Sequence, residues 1–219
     1  SMAVLEEWDL SGTLGAPYDT LTAELAFGAD TSLFVALAFL GRASGATLVA
    51  DNIVAQTQTG ELTLGRAPFA DGLTALLQSA RLAPAAIHLD VTPEYIFLKA
   101  RENPADLAAP PPEQLAAPAV RAFLARRVDV VLPEPARNAQ QVPLFLEPVP
   151  LAEVLPALSR QLGVPVTADV ALEALPVNFA IMNDVQVQTA IELLIRQWPT
   201  AGIGYTATAE GIRLTAPPG

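Results

Sequence analysis

The sequence predicts an α+β fold: two tandem βαββαββ-type domains, each with two helices packed on small mixed sheets. Three observations predict it. Apolar positions recur in the same order at a spacing of 118 residues. Within each copy, runs of strand period flank two segments of helical period. Between the copies lies a stretch rich in Ala and Pro, including Pro110, Pro111 and Pro112.

The internal repeat is the primary signal. Leu33, Leu37, Leu40, Gly45, Ala50 and Asp51 fall on Leu151, Leu155, Leu158, Gly163, Ala168 and Asp169. Phe27 falls on Phe145 at the same spacing. Thr92 to Ala100 matches Thr208 to Ala216 at a spacing of 116, so the intervening loops differ by two residues. The expected domains are residues 1–100 and 128–219, with 101–127 as the linker.

In the first copy Leu21, Ala23, Leu25 and Phe27 alternate as a half-buried strand does. Thr31 is the expected N-cap of the first helix. Leu48 to Ala50 and Leu62 to Leu64 read as strands. Pro68 suits the first turn of the second helix, whose face is Phe69, Leu73, Leu76 and Ala80. Ile87 to Val91 and Tyr95 to Ala100 form the closing hairpin. An earlier strand is expected over Asp9 to Leu14. Arg101 to Gln114 has the composition of a semi-rigid spacer, and Leu115 to Arg127 that of a short helix.

In the second copy Val142, Leu144 and Leu146 alternate, with an earlier strand expected over Val128 to Leu132. Leu151, Val154, Leu155, Leu158 and Leu162 share one helical face, and Gly163 stops that helix. Val164 to Ala168 is a short strand. Val177, Phe179 and Ile181 alternate again. Asn183 with Gln186 predicts a capping box for a helix burying Val187, Ala190, Ile191, Leu194 and Trp198. Gly202 to Thr208 and Gly211 to Ala216 close the copy through a tight turn at Ala209 and Glu210.

Composition narrows function. Apolar residues make up 52 % of the 219 and charged residues 16 %, enough for sizeable cores. With 23 acidic and 12 basic residues the net charge is −11. Such a chain is repelled by nucleic-acid phosphates and anionic membranes. No cysteine is present, which removes disulfides and thiol chemistry. The longest apolar run, Leu33 to Leu40, is far shorter than the roughly 20 residues of a membrane span. Ser1 and Met2 read as a cloning remnant, and the close on Pro217, Pro218 and Gly219 reads as the start of a further linker.

No catalytic or metal-binding set emerges, and no cofactor is expected. His88 is the single histidine and lies in a strand between apolar neighbours. A zinc or Ser–His role needs partners at close range. Glu6, Glu7 and Asp9 are the densest acidic group and read as a solvated terminus. Asp51 and Asp169 each follow a short strand. Catalysis is one reading; a turn aspartate bonding nearby N–H groups is the favoured one, because both copies need it to fold. Gly12 to Gly15 and Gly202 to Gly204 lack the strand, Gly-rich loop, Lys and helix order of a phosphate loop. Arg121, Arg126 and Arg127 read as a solvated basic face rather than a lipid or DNA contact.

The first helix carries a second signal. Leu33, Ala36, Leu37 and Leu40 form one face; Phe34, Val35, Ala38 and Phe39 form the opposite one. A helix apolar all round is covered on both sides. In the second copy the matching residues Ala152, Glu153, Pro156 and Ala157 are small or charged. The cover is either internal, from Leu5 to Tyr18 or Leu115 to Leu124, or a neighbouring subunit. The candidate interface residues are therefore Phe34, Val35 and Phe39, with Val142, Leu144 and Leu146 as a candidate sheet edge.

The segment Val149 to Val166 of the second copy, with Leu151, Leu155, Leu158, Gly163 and Val164, resembles the short N-terminal domain of secretins and TonB-dependent receptors. Val177, Phe179 and Ile181 are similar to its second core strand. Val187, Ala190, Ile191 and Leu194, followed by Tyr205, are similar to its second helix. The first copy matches more loosely, and the two together cover about two thirds of the chain. The resemblance implies a periplasmic, non-enzymatic module in an outer-membrane-associated protein. Two tandem copies imply a secretin, particularly the type IV pilus or protein-secretion kind. Implied partners are neighbouring subunits of a homo-oligomeric ring and inner-membrane components of the machine. The alternative is a signalling domain of a TonB-dependent transducer or an envelope lipoprotein module.

Overall fold

The computed structural model describes residues 8–10, 12–107, 109–133 and 147–219. The chain divides into two α+β units, Ser1–Asn103 and Pro104–Gly219.

In the first unit, strand β1 (Thr22–Phe27) is followed by β2 (Thr31–Ser32), helix α1 (Leu33–Ser44), β3 (Leu48–Ala50), the short α2 (Asn52–Ala55), β4 (Gln58–Thr59), β5 (Leu62–Pro68), α3 (Phe69–Ser79), β6 (Ile87–Val91) and β7 (Ile96–Ala100). β1 pairs antiparallel with β5, and β2 with β4. β7 lies between a parallel β3 and an antiparallel β6. Ala23, Leu25 and Phe27 bury one face of β1, as their alternation requires. Helix α1 packs on β1 and β3 and also touches α2 and α3. It stops at Gly45, whose φ of 84° suits glycine and lets its N–H bond the Gly41 carbonyl. Leu33, Leu37, Leu40, Phe69, Leu73, Leu76 and Phe97 form the core.

The second unit begins with α4 (Pro112–Ala116) and α5 (Pro118–Leu124). It continues with β8 (Arg127–Leu132), β9 (Val149–Pro150), α6 (Leu151–Leu162), β10 (Val166–Ala168), a 3-10 turn at Val170–Leu172, β11 (Pro176–Val177), β12 (Ala180–Gln186), α7 (Val187–Arg196), β13 (Gly204–Thr208) and β14 (Gly211–Thr215). β8 pairs antiparallel with β12, and β9 with β11. β14 lies between a parallel β10 and an antiparallel β13. Leu151, Val154, Leu158 and Leu162 of α6 and Val187, Ala190, Ile191 and Leu194 of α7 are buried with Trp198.

The ladders of the two units share their register. Leu25 faces Leu64, and Val130 faces Met182; Ala26 faces Thr63, and Val131 faces Ile181. Each long pair carries an irregularity at the same place: one extra residue lies on β5 between Leu64 and Ala67 and on β12 between Met182 and Val185.

Several sequence expectations are corrected. Asp9 to Leu14 is not a strand: Gly12 and Gly15, at φ 74° and 68°, bend the chain, and Thr13 N–H bonds back to the Leu10 carbonyl. The residues before α6 that pair with β12 are Arg127–Leu132. Val142, Leu144 and Leu146 lie outside the described residues. The buried side of β12 is Ala180, Met182 and Val185, whereas Phe179 and Ile181 are half-exposed. The register with β8 and the left-handed Asp184 (φ 50°) set that choice. Asn183 and Gln186 form no capping box; β12 runs through both, and α7 starts at Val187 without a side-chain cap. Thr31 is one residue early as an N-cap, the position being Ser32. Leu115 to Arg127 is not one helix, because Ala117 precedes Pro118 and is held extended (ψ 118°). These helices belong to the second unit: α4 packs on β13, α5 on α7, and the Gln114 Oε1 accepts from the Ala207 N–H at 2.9 Å.

Candidate functional site

Asp51 and Asp169 are spent on backbone geometry. Asp51 is fully buried. Its Oδ1 accepts from the N–H groups of Ile53 and Val54 at 3.0 and 3.1 Å, capping α2. Its Oδ2 accepts from Ala100 N–H at 2.7 Å and Asn103 Nδ2 at 2.8 Å. Asp169 holds the equivalent strand end in the second unit, where its Oδ2 accepts from Ala216 N–H at 2.8 Å. Its Oδ1 accepts from Arg213. The Ala216 N–H, followed by the Arg213 side chain, holds the Asp169 carboxyl below the usual carboxylate range. Each aspartate therefore fastens the chain after a short edge strand, β3 or β10, to the last strand of its unit, the geometry of a turn aspartate rather than of a paired catalytic site.

The other polar candidates disperse. His88 is exposed on β6 and faces Lys99 across the ladder. Arg126 donates to the Leu162 carbonyl at the end of α6, where a cation also suits the helix dipole. Arg127 pairs with Asp184 at 3.1 Å and holds that carboxyl below its ordinary range. Arg121 is exposed on α5. Among the described residues no cluster of His, Cys, Asp and Glu has the arrangement of a metal site. Glu6 and Glu7 lie outside the described residues. No helix among the described residues is long and apolar enough to cross a membrane.

The candidate interface on α1 divides. Phe34 is buried and Val35 half-buried. Ala38, on the same face, is also buried. Phe39 is 44 % exposed. Its ring lies 6.1 Å from that of Phe27, tilted by 38°, so the aromatic surface continues from helix to strand. Beside the pair runs a groove lined by Glu24, Leu25, Ala26 and Phe27 of β1 and by Phe39, Arg42 and Ala43 of α1. One wall is the outer edge of β1, since β5 pairs with its other side.

The same edge is closed in the second unit. Gln161 of α6 reaches the outer edge of β8: its Oε1 accepts from the Val131 N–H at 2.7 Å and its Nε2 donates to the Val131 carbonyl at 3.0 Å. Gln161 occupies the place of Ala43, and Val131 that of Ala26. Sequence reading missed this pair. The available signal was the difference between Gln and Ala two residues before each helix-ending glycine.

No family model matches this chain, and neither does any curated protein or any solved structure.

Proposed function

We propose that this chain is a non-enzymatic interaction module of the cell envelope, built from two copies of a secretin-type N-terminal domain. In this reading it resides in the periplasm as part of an outer-membrane-associated protein. It supports a homo-oligomeric ring and contacts inner-membrane components of a type IV pilus or secretion machine. The observation that carries the reading is the shared ladder register of the two units, from β1 with β5 to β3 with β7, matched by β8 with β12 and β10 with β14. A duplicated fold in which Asp51 and Asp169 are both committed to backbone bonds favours a structural and binding role over turnover.

The test is the native size of the full-length protein extracted from its own envelope in mild detergent. A large, heat-resistant multimer supports the secretin reading. A monomer or dimer overturns it in favour of a signalling domain of a TonB-dependent transducer or a lipoprotein module. Alanine substitution of Asp51, Asp169 and His88 tests the non-enzymatic part: loss of a measurable turnover with the fold intact would overturn it.

A further inference from the structure

We infer that helix α4 is a releasable strap: it covers the outer edge of β13 and lifts away from it while the rest of the second unit stays folded. Two side-chain amides close sheet edges in this unit, and the difference between the helices that bear them carries the inference. Gln161, which closes β8, stands on a twelve-residue helix anchored by Leu151, Val154, Leu158 and Leu162, all buried. That closure opens only with the core. Gln114, which closes β13 at the Ala207 N–H, stands on the five-residue α4, none of whose residues is buried. Among the described residues this is the one hydrogen bond that joins α4 to β13.

The ends of α4 let it move as a piece. Ala117 joins it to α5 in an extended conformation, at φ −69° and ψ 118°. Pro118 opens α5 without an N–H, and the first α5 bond, from the Arg121 N–H, stops at the Ala117 carbonyl. No helical bond therefore crosses the joint. α5 itself is held by buried Val120 and Leu124 and packs on α7. A rotation at Ala117 lifts α4 and leaves α5 in place. Lifting costs one hydrogen bond and the contacts of half-buried Gln114 and Leu115, and water takes over the freed polar groups. What it uncovers is a strand edge. Residues of an antiparallel ladder point their N–H alternately away from the partner and toward it. Ala207 points outward to Gln114, so Thr206, which faces Arg213, points inward to β14. With α4 in place Ala207 is fully buried. With α4 lifted its strand is a template for another. α4 is thus an autoinhibitory cover, and the inference stands whether or not the chain belongs to a secretin, because it rests on α4, its joint and β13.

Native-state hydrogen exchange of the 219-residue chain, followed amide by amide by NMR, tests it. The Gln114 amide, bonded to the Pro111 carbonyl, and the Ala207 amide should exchange through one shared local opening. Relative to unstructured rates, both should exchange at least about a hundredfold faster than the Thr206 amide. Low denaturant should leave both nearly unchanged, because their opening exposes little surface, while Thr206 accelerates steeply. Gln114→Ala should speed exchange at Ala207 by about fivefold more, the worth of one hydrogen bond, and leave Thr206 unchanged. Exchange of Ala207 and Thr206 at one rate with one steep denaturant slope overturns the inference. So does fast exchange at Ala207 with the Gln114 amide still protected, since the side chain then turns without the helix lifting. A Gln114→Ala variant in which Ala207 exchanges as in the wild type overturns it as well.

Discussion

Gln161 holds Val131 by both of its backbone polar groups, at 2.7 and 3.0 Å, across 30 residues of sequence. A side-chain amide is the one neutral group that mimics a neighbouring peptide, with an acceptor and a donor side by side. Here it acts as a one-residue strand that ends the β8 sheet.

Removing that amide should cost stability and expose an edge at once. Gln161→Ala is expected to destabilise the second unit by about 1–2 kcal/mol, since two hydrogen bonds are lost but the freed groups of Val131 become accessible to water. The variant should also associate more strongly than the wild type, because the freed edge of β8 can pair with another strand. Thermal melts and sedimentation at several concentrations check both outcomes. Lower stability without added association would show that the edge is protected by something besides Gln161.

Asp51 and Asp169 should differ in weight. Asp51 is fully buried and accepts four bonds. Asp51→Ala leaves several buried donors unpaired and should cost about 2–4 kcal/mol. Asp169→Ala should cost less, because water reaches its partners. The chain has two tryptophans, one per unit: Trp8 donates to the Leu82 carbonyl and Trp198 to the Pro176 carbonyl. In a Trp198→Phe background, Trp8 fluorescence reports the first unit alone, so the Asp51 effect should appear there and the Asp169 effect should not.

Much of this arrangement was legible in the sequence, and what escaped has a common cause. The faces of α1, α3, α6 and α7 were readable because a helix repeats every 3.6 residues and its buried positions are local. The glycine stops at Gly45 and Gly163 were equally local. Strand partnership is not. Nothing within the run Val128 to Leu132 says that its partner is β12, about 50 residues on. Asn183 and Gln186 have the spacing of a capping box, yet the same residues serve a bulged strand. The turn role of Asp51 could be expected from its repetition at Asp169. Its partners Ala100 and Asn103, 49 and 52 residues away, could not.

Acid should weaken the second unit through two named carboxylates. Asp169 is held low by the Ala216 N–H and then by Arg213; Asp184 is held low by Arg127. A carboxyl whose folded pKa lies below its unfolded one binds fewer protons when folded. Its contribution is complete above the unfolded value of about 3.9 and disappears as pH falls through the lower folded value. Melting temperature should therefore fall between about pH 5 and pH 2, and an Asp169→Asn, Asp184→Asn double variant should show a shallower fall over that interval. Both groups lie at the surface, so added salt should reduce the difference between variant and wild type. An identical acid profile in the two proteins would remove these pairs from the account.

The second unit also contains a residue it would be better without. Gln197 is 1 % exposed, and among the described residues neither its Oε1 nor its Nε2 has a hydrogen-bond partner. An unsatisfied buried amide costs the desolvation that a partner would have offset. Gln197→Met keeps the length of the side chain and removes both polar atoms. It should raise stability by about 1–2 kcal/mol, read as a higher melting temperature and denaturant midpoint at unchanged slope. Gln197→Glu sharpens the test. Burial disfavours the charged carboxylate, so the folded pKa of the new group should rise above its unfolded value of about 4.3. Such a group binds more protons when folded, and its penalty grows as pH rises above the unfolded value. The glutamate variant should therefore be least destabilised near pH 4 and most at neutral pH, about where a carboxylate is fully ionised in water. A methionine variant no more stable than the wild type would mean that the amide is satisfied in solution, and the glutamate variant's pH profile would then flatten as well.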